Sequence, residues 1–206
     1  LPAAPGAAAA GDGQALGPNL LYQRVHALPV ELPTSSSGTL ILDLRFVPAD
    51  PEAAAGFDRW LKSRARPRDP VIVLVNGETS PALFPLLSPP AVPPGVVSIG
   101  PATGRVVPDI TLPLDAASDR AAYESLEHGM TIEDLVNPKV EKVRHDEAAM
   151  ARERTAGSAF GQDGEITPTA GDKAKATPSP APAPLVDRVL QRAVQLDHAL
   201  HALGKL

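Results

Sequence analysis

Two short runs of large aliphatic residues constrain this chain most: Thr39-Leu-Ile-Leu-Asp-Leu-Arg45 and Val71-Ile-Val-Leu-Val75. Each is almost unbroken over the length of a strand, the pattern of a strand covered on both faces rather than one with a wet side. Between them Asp50-Pro51 reads as a helix start, with Asp50 as N-cap and Pro51 at the first helical position. Ala54, Phe57 and Leu61 recur at helical spacing beside Trp60, and the helix should stop near Arg64, before Pro67. A strand, a helix and a second buried strand imply a right-handed crossover, so the expected fold class is α/β with a parallel sheet.

The flanking segments fit that frame. Tyr22, Arg24 and His26 alternate with Leu21, Gln23 and Val25 ahead of Pro29, a short strand. Pro81 through Leu87 reads as a short helix, Val96 to Ile99 as a third short strand, and Ile110 to Leu114 as an edge strand, since Pro113 cannot donate to a ladder. Ala116 to His128 and Pro138 to Arg154 read as helices, the second so thick with charge that a solvated face is its plain meaning. Pro and Gly are frequent in 1–19 and 156–184, which also have few large apolar side chains, and this divides the chain. Residues 1–19 are expected to be a disordered tail, 20–155 the α/β domain, 156–184 a Pro/Ala-rich linker and 185–206 a C-terminal amphipathic helix. In that helix Val186, Val189, Ala193, Leu196, Leu200 and Leu203 are spaced like two and a half heptads. Such a stripe docks either on its own core, the favoured expectation, or on a second copy of the chain to form a homo-oligomer.

Several function classes drop out. With no cysteine there are no thiolate metal sites, thiol catalysis or disulfides. No apolar run approaches the roughly 20 residues of a membrane span, and a net charge of −5 argues against a nucleic-acid partner. The Ala/Pro/Gly-rich opening resembles the first stretch of a mature exported protein, as would a trimmed chain, and an exported, periplasmic or cell-envelope location is the expectation.

Leu40-Ile-Leu-Asp43-Leu-Arg45, then Val71-Ile-Val-Leu-Val-Asn76, Ile99-Gly100 with Thr103-Gly104, Val107-Pro-Asp-Ile110 and the closing Leu190-Gln-Arg-Ala193 helix follow one another in the order of a known core. In these residues the chain resembles the tail-specific, or C-terminal processing, serine proteases. The resemblance covers about Leu20 to Leu114 and the last helix, and it implies a crotonase-like spiral of strand-strand-helix units. It also implies a Ser nucleophile, a Lys base and an oxyanion hole in a Gly-Gly loop after the first strand. Each is altered here. Where the family runs Gly-Asn-Pro-Gly-Gly, this chain has Phe46-Val-Pro-Ala49-Asp50; the nucleophile position falls on Pro81, after Thr79 and Ser80; the family's following acidic position falls near Leu83-Phe84; and the base position is Arg105. Proline has no hydroxyl, and arginine, protonated up to a pKa of about 12, cannot act as a base.

The resulting expectation is a non-catalytic, protease-derived binding or scaffold domain of the cell envelope whose partner is a protein or peptide. The alternative is an active serine endopeptidase using Ser80. No cofactor and no metal is expected: Asp197, His198 and His201 read as surface residues beside the apolar stripe rather than ligands, and His145-Asp146 lacks a third ligand. Gly100-Pro-Ala-Thr-Gly104 lacks the lysine and the helix start of a phosphate loop. Asp43 and Arg45, two apart on one side of a strand, read as a structural ion pair.

Overall fold

The run from Thr39 does form a strand with no wet face: all five residues of β3 (Thr39–Asp43) are buried, and so are all four of β4 (Val71–Leu74). The computed structural model describes residues 13–34, 37–103, 107–137 and 184–206. The sheet also contains β1 (Gln14–Gly17), β2 (Leu20–Arg24), β5 (Val96–Gly100) and β6 (Ile110–Thr111). Its six strands lie in chain order; β1 is antiparallel to β2 and every later pair is parallel. The helices are α1 (Pro51–Arg64), a 3₁₀ helix (Pro81–Leu87), α2 (Ala116–Glu127), α3 (Ile132–Val136) and α4 (Arg188–Ala202). None of these is long and apolar enough to cross a membrane, among the described residues.

Side-chain alternation along the strands sorts the core into two layers. Leu40, Leu42 and Leu44 with Val71, Val73 and Val75 face Phe57 and Leu61 of α1 and Leu83 and Leu87 of the 3₁₀ helix. Ile41, Ile72, Leu74 and Ile99, with Leu20 and Tyr22 of β2, face Ile132 and Val136 of α3 and Val189, Leu190 and Ala193 of α4. The two crossovers that link β3 to β4 and β4 to β5 thus share one face, and the elements that follow the sheet cover the other. Each fully buried side chain of this size contributes about 1.5–3 kcal/mol relative to exposure, which explains how so few aromatic residues suffice.

Local chemistry sets the boundaries. Asp50 Oδ1 accepts from the Ala53 N–H at 2.7 Å, and α1 ends at Arg64, where Ala65 turns extended. The helix expected after Ser80 is a 3₁₀ helix rather than an α-helix, because Pro85 has no N–H to give the carbonyl four residues back. The edge strand expected over Ile110 to Leu114 pairs only through Ile110–Thr111, with Leu112 N donating to Gly100 O at 2.8 Å before Pro113 ends the ladder. Gly100 is required where it stands: a Cβ there would run into the Val75 carbonyl. A short helix went unread in the sequence, α3, capped by Thr131, whose Oγ1 accepts from Asp134 N at 3.2 Å.

One boundary is corrected. The expected tail of 1–19 contains β1, whose Gln14 and Ala15 pair with Tyr22 and Leu21; a polar segment of low apolar content is ordered here by ladder bonds and by Leu16 packing on the core. The predicted charged helix over 138–154 and the linker up to Ala183 lie outside the described residues, as do 1–12. The C-terminal helix packs on the sheet through part of its heptad seam and the row beside it. Val189 and Ala193 are fully buried together with Leu190, and Asp197 is buried too; Val186, Leu196 and Leu200 are half-buried, and Leu203 is 71% exposed. At 100° per residue the buried set is centred roughly 45° away from the seam. A flat sheet selects the broad 3.6-period face rather than the narrow coiled-coil stripe.

Candidate functional site

The carboxyl ends of the parallel strands are where open α/β sheets collect functional groups, and here they collect charge. Asp43 ends β3, and Arg45 follows on the same face as Ile41, toward α4. Nothing in the apolar core can pair with a guanidinium there except carboxylates brought from elsewhere. Asp119 arrives from the first turn of α2 and Asp187 from the N-cap of α4.

The guanidinium of Arg45, wholly buried, donates from Nε to both oxygens of Asp43 (3.0 and 3.2 Å) and from Nη2 to Asp43 Oδ2 (2.7 Å) and Asp187 Oδ2 (2.8 Å). Its Nη1 donates to Asp119 Oδ1 (2.9 Å) and Asp187 Oδ1 (3.2 Å). Three carboxylates around one cation leave negative charge in excess, and neutral donors take it up. Tyr22 OH donates to Asp43 Oδ2 at 2.9 Å, Asn76 Nδ2 to Asp119 Oδ2 at 3.0 Å, and the Leu190 N–H of α4 to Asp187 Oδ1 at 2.9 Å. Burial alone would lower the pKa of Arg45, but Asp43 and Asp187 reverse that and hold it well above its ordinary value. Burial, then the neighbouring Asp43 carboxylate, pushes the Tyr22 hydroxyl well up.

Beside this cluster lies a layer of rings and cations. The Arg24 guanidinium sits 3.5 Å from the centre of the Tyr123 ring, Tyr123 packs at 4.7 Å on Phe46, and Arg120 lies 4.6 Å from the Phe46 centroid. Phe46 has φ +64, the left-handed region, which a bulky side chain occupies at a cost of about 1–3 kcal/mol.

The next turn brings the expected site residues together. Ser80 N donates to Val47 O at 3.2 Å, and Ser80 Oγ donates to Ala49 O at 2.9 Å. Ser80 stands at the N-cap position of the 3₁₀ helix but makes no side-chain cap bond, because its hydroxyl is turned to Ala49 instead. Thr79, buried, donates its hydroxyl to Leu44 O at 3.1 Å and accepts from Asn76 N at 3.0 Å. Pro81 opens the 3₁₀ helix, Leu83 and Phe84 are buried, and Asp50 is occupied as the cap of α1. Arg105 lies outside the described residues.

A serine becomes a nucleophile when a neighbouring base takes its proton. Ser80 Oγ–H points at a peptide carbonyl, and among the described residues no lysine or histidine bonds to it. The charged cluster offers no base either: all five N–H groups of Arg45 are engaged and its carboxylates accept several donors each. Among the described residues no group of three or more acids and histidines is arranged to hold a metal ion. The arrangement is a clasp joining β3, α2 and α4 beside a turn in which the Ser80 hydroxyl is held on a carbonyl. The Asp43–Arg45 pair read from the sequence is present; Tyr22, Asn76, Asp119 and Asp187 were missed. A signal existed for Asp187, which precedes the apolar period of α4 where an N-cap belongs, and a charged pair in an apolar strand itself demands distant partners. No protein-family model matches the chain, and no curated protein matches it.

Proposed function

We propose that this chain is a non-catalytic, protease-derived binding or scaffold domain of the cell envelope, with a protein or peptide as its partner. The observation that carries the reading is the Ser80 hydroxyl held on the Ala49 carbonyl at 2.9 Å, in a turn whose next residue is Pro81. Phe46 in a glycine-like conformation supports descent from a loop that once carried glycine. The sequential parallel sheet, with both of those crossovers on one face, supports the finer crotonase-like reading. What remains of such a site after its chemistry is lost is a shaped surface at the strand ends, rimmed by Phe46 and Arg120.

The test is labelling with a serine-directed fluorophosphonate followed by peptide mapping, together with incubation of the chain and its Ser80→Ala variant with an unfolded protein substrate. The expected result is no adduct and no turnover in either. An adduct on Ser80 with turnover that disappears in Ser80→Ala would replace this reading by the serine endopeptidase.

A further inference from the structure

At the opposite, amino ends of the strands the structure holds a second polar feature. Four aspartates are buried among the described residues, and three of them, Asp43, Asp119 and Asp187, bond to Arg45. The fourth, Asp197, is 2% exposed, and its Oδ1 has no hydrogen-bond partner. The nearest cationic candidate, His201 Nε2, is 3.7 Å away, beyond hydrogen-bond length. Ten residues along α4 from Asp187, about 15 Å, Asp197 sits far from the clasp.

It also lines a cleft of about 420 Å³, walled by Leu16, Pro18 and Leu20 from the β1–β2 corner and by Asp197, His198 and His201 from α4. No lysine or arginine among the described residues lines that cleft. A buried carboxylate whose nearest cationic group is one histidine 3.7 Å away is poorly compensated, so this cleft is complementary to a ligand that brings its own positive charge. The apolar walls suit methylene groups, the volume suits a compact molecule, and a primary ammonium offers a donor to Asp197.

We propose that the cleft between α4 and the β1–β2 corner binds a small organic cation, a primary ammonium on a short apolar body, with Asp197 as its counter-ion. The proposal does not depend on the fate of Ser80, which lies at the other end of the sheet.

The full chain is titrated at neutral pH with n-butylammonium and, as the uncharged isostere, n-butanol, following the imidazole proton resonances of His198 and His201 by NMR, with His26 and His128 as internal references. Saturable shifts confined to His198 and His201 are expected with butylammonium and not with butanol. Asp197→Asn should weaken binding about ten-fold or more, and Leu16→Trp, which puts bulk into the cleft from the opposite wall and keeps the carboxylate, should abolish it. Equal shifts with butanol, unchanged binding in either variant, or the absence of any saturable shift because His201 alone satisfies Asp197, would overturn the proposal.

Discussion

Arg45 is the residue on which the most distant parts of the chain converge, and its removal is predicted to be severe. Breaking a buried ion pair from one side costs about 3–5 kcal/mol because the partner charge is left uncompensated, and here three carboxylates would be stranded. Arg45→Met should therefore remove most of the stability typical of a domain, about 5–15 kcal/mol, read as a large drop in the urea midpoint; Arg45→Lys, with charge but no planar fork, should fall between. Tyr22 makes the same cluster sensitive to alkali. Its folded-state pKa lies above the ordinary value near 10, so the neutral phenol's contribution is complete below about pH 10 and is lost as pH rises through the folded value. Stability measured against pH should decline above about pH 10, and Tyr22→Phe should flatten that decline while losing about 1–2 kcal/mol from the orphaned Asp43 oxygen. Phe46 offers a cleaner comparison. Both Phe46→Ala and Phe46→Gly lose the ring contacts with Tyr123 and Arg120, but only alanine keeps a Cβ at φ +64. The glycine variant should be the more stable of the two by about 1 kcal/mol in chemical denaturation.

At the scale of elements, α4 shows how a helix can be legible while its contacts are not. Its extent and apolar stripe follow from residue spacing, but the sheet takes the face carrying Val189, Leu190 and Ala193 and leaves Leu203 in water. Leu190→Ala should cost about 2–5 kcal/mol, Leu196→Asp less, and Leu203→Asp within about 0.5 kcal/mol of nothing. Thermal melts will rank the three, and sedimentation should give an unchanged mass for each, since the docked face belongs to the chain's own sheet. The 3₁₀ helix teaches a related lesson: Pro81 predicts a helix start, and Pro85 four residues on decides which kind of helix can follow.

Over the whole molecule, the clasp joins positions as far apart as Arg45 and Asp187, 142 residues along the chain. Leu185–Leu206 form one compact unit with the residues up to Pro138, and α4 covers Ile41, Ile72, Leu74 and Ile99. A chain ending at Asn137 would expose that apolar face and strand Arg45 with fewer carboxylates. It should show no cooperative urea transition by circular dichroism, whereas the intact chain should unfold in one step. A sharp transition in the truncated chain would mean that the segment from Leu185 onward is dispensable.

By itself the sequence determined the elements whose causes are local. Two all-aliphatic runs forced buried strands, and Asp50-Pro51 forced the start of α1. What only tertiary structure decided is which distant groups meet. Asp119 and Asp187 look like ordinary helix-start aspartates until a buried guanidinium requires them, and β1 looks like tail until β2 supplies its ladder. Nor does any period in the sequence tell Asp197 from a surface acid. Local propensity is written in neighbours a few residues apart, whereas the desolvation of a charge is set by everything packed around it, and that packing exists only once the whole sheet is covered.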